Sequence, residues 1–131
     1  MATRTITLTN RPPVKIDEDT WGLIAVATAK DYDNQYEFQA NRTSKWHIGV
    51  RQHDDGRAIV YASYNHTSAF QSESDYSCRA GVLLDSSDDL PAAINEVARE
   101  IASQEHASSD AEKWPTLARN CIADLPAEEL V

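Results

Sequence analysis

Residues 45–64, "KWHIGVRQHDDGRAIVYASY", constrain the fold of this chain more than any other stretch. Two runs of alternating apolar and polar residues flank "HDDG", an arrangement typical of a β-hairpin. A type I turn with a bulge and a left-handed Gly56 pairs Val50 with Val60 and makes one face wholly apolar. A two-residue turn at Gly56 pairs Val50 with Tyr61 instead and loses that face. We therefore predict the first register.

The predicted register also assigns a face to each side chain of the two strands. Trp46 lies on the apolar face and is buried. His47 lies on the opposite face, across from Ser63 and beside Tyr61, which covers Gly49. The hairpin therefore predicts a histidine–tyrosine contact on the face that the apolar core does not use.

His53, Asp54 and Asp55 of "HDDG" have an alternative interpretation as a metal or acid–base site. His53 lies at the turn, and His66 lies on the other side of the sheet, at or beyond the strand end, so the histidines of the hairpin do not converge. Asp54 and Asp55 suit a tight turn, because aspartate bonds its own backbone and tolerates unusual angles. We interpret "HDDG" as a turn.

Periodicity predicts the elements on either side of the hairpin. After Asp17 as N-cap, residues 18–30 carry apolar residues at helical spacing and predict an N-terminal helix (Trp21, Ile24, Ala25, Thr28). The other predicted strands are Thr3 to Thr9, an edge continuation through Val14 and Ile16, residues 36–40, and residues 76–84. Asp31 to Asn34 is a predicted turn, and residues 65–76 are a predicted flexible loop because they are serine-rich and weakly apolar.

Two helices are predicted in the C-terminal third. The first is capped by Asp88 or Asp89, has Pro91 in its first turn, and carries one apolar stripe (Leu90, Ile94, Val97, Ile101). The second has Pro115 at its first position and ends before Pro126, with a buried face of its own (Leu117, Cys121, Ile122, Leu125). These elements predict a single α+β domain over 1–131, with an antiparallel sheet of about four to five strands and all three helices on one face.

Composition fits a cytoplasmic protein. An apolar share of 41% over 131 residues is sufficient for a core. The N-terminus has no apolar run typical of a signal peptide, and no stretch approaches the length of a membrane span. Cys78 and Cys121 have no neighbouring cysteine, so we expect reduced, partly buried thiols rather than a disulfide.

Charge is segregated along the chain. Residues 1–70 hold 8 acidic and 8 basic side chains, whereas residues 71–131 hold 13 acidic and 4 basic ones, which accounts for the whole net charge of −9. Such a field disfavours nucleic acid, whose binding depends on lysine and arginine. It favours a protein partner instead. We predict a protein-contact surface on the C-terminal acids (Glu96, Glu100, Glu105, Asp110, Glu112).

Five stretches of the chain resemble a group of small proteins encoded on proteobacterial plasmids and integrated mobile elements, for which no activity is known. They are "TITLTNRPPVKIDED", "AKDYDNQYEFQANRT", "RQHDDGRAIVYASY", "RAGVLLD" and "CIADLPAEEL". The resemblance implies an accessory gene of a mobile element in a bacterial cytoplasm. It assigns no residue a role.

The function predicted from the sequence is that of a non-catalytic protein-binding module, with no cofactor and no metal. One alternative is a DNA-mimic inhibitor of host defence, which needs carboxylates spaced like phosphates. Others are a secretion-type chaperone, a small enzyme with its pocket between sheet and helices, and a nucleic-acid binder using the basic residues of the central strands (Arg42, Lys45, Arg51, Arg57). Pairing of two chains at an exposed sheet edge would form a homodimer, which is a further alternative.

Overall fold

The structure is a computed structural model and describes residues 2–32, 41–70, 74–104 and 112–127. Its elements in chain order are β1 (Thr3–Leu8), β2 (Arg11–Asp17), β3 (Trp21–Tyr32), β4 (Arg42–His53), β5 (Ala58–Ser68), β6 (Tyr76–Leu84), α1 (Leu90–Ala102) and α2 (Lys113–Asp124). The predicted strand over 36–40 lies outside the described residues.

Strands β3 to β6 form an antiparallel sheet in the order β3-β4-β5-β6, and β1 pairs with β2 in a separate two-stranded sheet. The helices cover one face of the four-stranded sheet, where they bury the largest core (Trp46, Ile48, Val50, Val60, Ile94, Ile101, Trp114, Cys121). The β1–β2 hairpin packs on the opposite face through a second cluster (Ile6, Leu8, Ile16, Trp21, Ile59, Tyr61). The α+β class and the antiparallel sheet are confirmed, and the molecule has three layers.

The predicted register of the β4–β5 hairpin is confirmed. Val50 pairs with Val60, and Trp46 with Tyr64. Gly56 has a φ of 97°, in the left-handed region that the bulged turn requires. Trp46 is only 1% exposed, so the apolar face is buried as predicted.

The predicted N-terminal helix is wrong, because residues 21–32 form strand β3. A bulge between Leu23 and Ala25 shifts the pairing with β4 by one residue. Trp21, before the bulge, therefore faces the β1–β2 hairpin, while Ala25 and Ala27, after it, face the helices. Trp21 and Ala25 are four residues apart, which is also the spacing of residues on one face of a helix. The residues before the bulge and those after it nevertheless alternate between the two faces of the sheet, as strand residues do.

Two boundaries also differ from the prediction. β5 continues through Ser68, so residues 65–68 of the predicted loop are strand residues, and His66 pairs with Tyr76 of β6. At the other end of β3, Asp31 and Tyr32 are strand residues rather than the start of a turn. The strands therefore extend further along the chain than composition alone indicated.

The two C-terminal helices follow the prediction closely. Asp89 is the N-cap residue of α1, with Pro91 in the first turn, and the whole predicted stripe from Leu90 to Ile101 is buried. α2 begins two residues earlier than Pro115. Cys78 and Cys121 are free and buried, and burial raises the pKa of the Cys121 thiol to about 11.

Hydrogen bonds from other layers cap both edges of the four-stranded sheet. At the β3 edge, the backbone N–H of Val26 donates to a carboxylate oxygen of Asp124, at 2.9 Å. At the β6 edge, Gly81 exchanges two hydrogen bonds with Thr9, and the Gln104 amide donates to the carbonyl oxygen of Arg79. The hairpin and both helices are thereby tied to the sheet by backbone groups as well as by apolar packing.

Candidate functional site

A cleft of about 440 Å³ opens between β1 and the sheet face that carries the hairpin. The hairpin covers only one end of this face, where Tyr61 and Gly81 lie. Beyond that end, two consecutive rows of residues cross the sheet. The inner row is Thr28, His47, Ser63 and Arg79, and the outer row is Lys30, Lys45, Asn65 and Ser77. These rows form the floor of the cleft, apart from Ser77.

Several cationic residues line the cleft although the chain is acidic. Its lining contains Arg4 from the hairpin and three cations from the sheet, Lys30, Lys45 and Arg79. None of the lining residues that the structure describes is acidic. Because the protein as a whole carries a net charge of −9, this concentration of cations in one concave place is a local feature that composition does not predict.

Neighbouring groups on the sheet position the Arg79 guanidinium. One of its nitrogens donates to the side-chain oxygen of Asn65 at 3.1 Å, and another donates to the carbonyl oxygen of Cys78 at 2.9 Å. A guanidinium carries five N–H donors in a fixed plane, so these two bonds leave donors for a ligand. Asn65 therefore holds the cation between the two rows.

A network of charges fixes the hairpin end of the cleft. The Nε of Arg4 donates to Glu18 at 2.6 Å, and this bond holds the pKa of the Glu18 carboxyl below its ordinary value. Arg51, which is buried, lies 3.6 Å from the same carboxylate and also donates to the Tyr61 hydroxyl and the Trp21 carbonyl. The network joins β1 to the sheet and keeps Arg4 at the mouth of the cleft.

His47 lies in the cleft floor as the sequence predicts, stacked on Tyr61. The ring centroids are 5.6 Å apart, with an interplanar angle of 27°. A Cβ on Gly49 would lie 2.6 Å from the Tyr61 ring, so only glycine admits this packing. The Nε2 atom of His47 is buried and has no hydrogen-bond partner in the described part of the chain. Burial lowers the pKa of His47, and the charges of Arg4 and Arg51 lower it further.

The cleft contains a histidine and a serine on adjacent strands, but the described contacts include no hydrogen bond between them of the kind that nucleophilic catalysis requires. Ser63 lies directly across from His47, and the described hydrogen bonds include none between them. On the helix side of the sheet, the Ser44 hydroxyl does lie 3.0 Å from Nδ1 of His66, whose ring stacks on Tyr76 at 4.7 Å. No described carboxylate orients His66, and this pair satisfies two half-buried polar groups.

The "HDDG" segment is the turn that we predicted. Asp55 accepts hydrogen bonds from the backbone N–H and the Nε of Arg57, at 3.0 and 2.7 Å. These bonds lower the pKa of the Asp55 carboxyl, the backbone one most of all. Within the described residues, no group of three His, Cys, Asp or Glu side chains is placed to hold a metal ion.

The predicted protein-contact surface is only partly within the described residues. Glu96 and Glu100 are exposed on α1, and Glu112 is exposed just before α2. Glu105 and Asp110 lie outside the described residues. Arg99 is also exposed on α1, so the described helix surface mixes both signs of charge. A role for this surface in protein contact stays a prediction.

The basic residues of the central strands are dispersed rather than gathered. Lys45 lines the cleft, whereas Arg51 is buried beneath the hairpin. Arg57 lies over the Trp21 ring and Arg42 over the Phe70 ring, at 5.0 and 4.7 Å from the centroids. The sequence therefore indicated one of the four cations of the cleft. Arg4, Lys30 and Arg79 were missed, because their positions depend on strand pairings outside the central hairpin.

A search against protein-family models, curated proteins and solved structures found no match to this chain. Of the helices in the described ranges, neither is long and apolar enough to cross a membrane. Functional inference therefore depends on the geometry and charge of the cleft.

Proposed function

We propose that this protein binds a small anionic ligand in the cleft between β1 and the four-stranded sheet. The observation that carries the proposal is the lining itself, which has four cationic side chains and no acidic residue among its described members in a chain of net charge −9. One of the four, Arg4, is paired with Glu18 outside the lining. Hydroxyl groups accompany the cations, from Thr28 on β3 and Ser63 on β5. Cations and hydroxyls together suit the oxygens of a phosphate or carboxylate group.

The size and surface of the cleft support a small molecule over a nucleic-acid strand. A volume of about 440 Å³ lies within the range of small-molecule pockets. Sequence-tolerant binding of single strands depends on exposed aromatic rings on which bases stack. Trp46 is 1% exposed and Tyr61 8% exposed, so neither offers such a platform.

The proposal is tested by isothermal titration calorimetry with inorganic phosphate and a hexose monophosphate. We expect saturable binding to the natural chain and a loss of affinity of about tenfold or more in Arg79→Ala, because charge-assisted hydrogen bonds contribute about 1.5–3 kcal/mol. Arg119→Ala is the matched control, since Arg119 is exposed on α2 on the other side of the sheet. Equal losses in the two variants, or no binding of either anion to the natural chain, would overturn the proposal.

A further inference from the structure

The floor of the cleft contains a side chain of a type that changes its charge near neutral pH. His47 lies between Thr28 of β3 and Ser63 of β5 in the inner row, and it lines the cleft. Histidine is the one side chain that ordinarily titrates between pH 5 and pH 8. The other ionisable residues of the described lining are of different types (Arg4, Lys30, Lys45, Tyr61, Arg79). The charge of the cleft in this range therefore depends on His47.

The two ring nitrogens of His47 have different surroundings. Nε2 is buried on the side of Gly49, 3.0 Å from the position that a Cβ on Gly49 would take, and it has no hydrogen-bond partner in the described part of the chain. Nδ1 makes no hydrogen bond to a described residue either, but it is not shut off from solvent as Nε2 is. Because the ring lines the cleft, Nδ1 is the nitrogen that a ligand there can reach.

The surroundings of the ring oppose a second proton when the cleft holds no anion. The ionised ring carries a hydrogen on both nitrogens, and the buried Nε2 has no described acceptor for its own. Burial lowers the pKa of His47, and the positive charges of Arg4 on β1 and Arg51 on β4 lower it further. The remaining charged residues of the described lining are cations as well (Lys30 on β3, Lys45 on β4, Arg79 on β6).

The carboxylate that contacts this group of charges does not offset them inside the cleft. Glu18 lies 2.6 Å from Arg4 and 3.6 Å from Arg51, and it is not part of the lining. The hydrogen bond from Arg4 holds the pKa of Glu18 below its ordinary value, so Glu18 keeps its charge between pH 5 and pH 8. A change of charge at His47 in this range is therefore not accompanied by one at Glu18.

An anion in the cleft has the opposite effect on His47. A negative charge within about 4–6 Å favours the ionised form of a histidine and raises its pKa by about 1–3. Linkage makes the effect reciprocal, so the anion binds more tightly to the ionised ring than to the neutral ring by the corresponding factor. The ionised ring also offers the anion a charge-assisted hydrogen bond from Nδ1.

We propose, on the basis of the anion-binding function above, that the cleft binds its anion together with a proton, which His47 takes up from solvent as the anion reaches Nδ1. The proton returns to solvent when the anion leaves. The cleft is thus an anion site whose affinity increases as the pH falls, and it suits oxyanions that stay ionised in weakly acidic solution.

The test uses sulfate, because phosphate itself titrates near pH 6, at about the same pH as a histidine, whereas sulfate keeps its charge between pH 5 and pH 8. We expect calorimetry on the full chain to show about tenfold tighter binding of sulfate at pH 5 than at pH 8. Titrations in two buffers with different ionisation enthalpies are expected to show uptake of a proton as sulfate binds. His47→Gln is expected to bind sulfate without this pH dependence and without proton uptake.

His53→Gln is the matched control, since His53 is a half-buried histidine of the same strand that does not line the cleft. It is expected to keep both the pH dependence and the proton uptake. An NMR titration of the natural chain gives a readout without substitution, and we expect sulfate to raise the pKa of the His47 ring. A pKa of His47 that sulfate leaves unchanged would overturn the inference.

The outcomes separate this inference from the function on which it rests. If sulfate binds equally at all pH values and Arg79→Ala weakens its binding, the anion site stands and proton uptake by His47 is wrong. A pH dependence that His47→Gln retains would also overturn the inference. If neither sulfate nor phosphate binds at any pH, both proposals fail. Circular dichroism confirms that each variant is folded before titration.

Discussion

The surroundings of His47 oppose its ionised form. Its ring is stacked on Tyr61 and its Nε2 is buried, and two positive groups, Arg4 and Arg51, act on it from the hairpin and from β4. Burial and these charges hold its pKa below the ordinary value of 6.5. The folded protein therefore keeps this histidine neutral at pH values where the unfolded chain already binds a proton.

This difference predicts how stability depends on pH. Between the folded pKa and 6.5 the unfolded state binds more protons, so the free energy of unfolding increases with pH in that window. The stabilisation is fully present above 6.5 and is lost as the pH falls toward and through the folded pKa. We expect the urea midpoint to decrease between pH 7 and pH 5, and the decrease to be smaller in His47→Gln.

The control for this prediction is His53→Gln, at the half-buried last residue of the same strand. Urea unfolding followed by tryptophan fluorescence at several pH values gives the slope for each variant. A slope that His47→Gln leaves unchanged would show that another group titrates in this window.

At the scale of elements, β1 lies against β6 with no room for a side chain at Gly81. A Cβ placed on Gly81 would lie 2.6 Å from the backbone oxygen of Thr7, and 3.2 Å from the Leu8 side chain. Backbone atoms cannot move aside as a flexible side chain can. Glycine at 81 is therefore required for the hairpin to lie against the sheet.

We expect Gly81→Ala to destabilise the protein by about 1–3 kcal/mol, the cost typical of overpacking. The added methyl group forces β1 away from β6 and weakens the two hydrogen bonds between Thr9 and Gly81. Gly22→Ala is the matched control. Gly22 is also a strand glycine, and a Cβ there meets nothing within 4 Å. Urea unfolding of both variants measures the difference, and equal stability of the two would contradict the prediction.

The elements also show which parts of the fold the sequence could predict. The β4–β5 hairpin was predictable to the residue pair, because a turn with a left-handed glycine and one apolar face together determine the register. α1 was predictable because its proline and its stripe agree with a start at Asp89, although the Asp89 side chain makes no capping hydrogen bond. β3 was not, because its bulge moves buried side chains from one face to the other and removes the alternation on which a strand assignment depends.

The cleft was less predictable than the fold for a related reason. Its cations come from β1, β3, β4 and β6, and only the pairing of β4 with β5 could be derived from local signals. Lys30 was assigned to a helix, and Arg4 to a strand whose partner was not known. Sequence periodicity indicates which side of an element a residue occupies, but the neighbours of that element depend on packing between distant segments.

At the scale of the whole molecule, the four-stranded sheet separates two kinds of environment. On the helix side most of its residues are apolar and buried against α1 and α2. On the hairpin side, beyond the part that β1 and β2 cover, its residues are polar and cationic and form the cleft. Stability and ligand binding therefore depend mainly on side chains of opposite faces.

This separation predicts that core variants change stability without changing anion affinity. Ile94, on α1, is completely buried against the sheet, and we expect Ile94→Ala to cost about 2–5 kcal/mol through the cavity it leaves. The dissociation constant for phosphate, measured where the variant is still folded, is expected to stay within about twofold of the natural value, because sites without shared partners are approximately additive. Arg79→Ala is expected to weaken phosphate binding with little change in the free energy of unfolding. A large change of phosphate affinity in Ile94→Ala would show that the two faces are coupled.

The position of the β1–β2 hairpin has a consequence for how the chain folds while it is being synthesised. The hairpin ends at Asp17, but the strands on which it packs are completed only with β6, and the contact with Gly81 is 64 residues later. At about 5–20 residues per second, a ribosome needs about 3 to 13 s to extend the chain from one to the other. During this interval Ile6, Leu8 and Ile16 have no complete sheet to cover them. The hairpin is thus synthesised well before the surface on which it packs is complete, and a nascent chain that stalls before β6 exposes part of the hairpin's apolar face to chaperones.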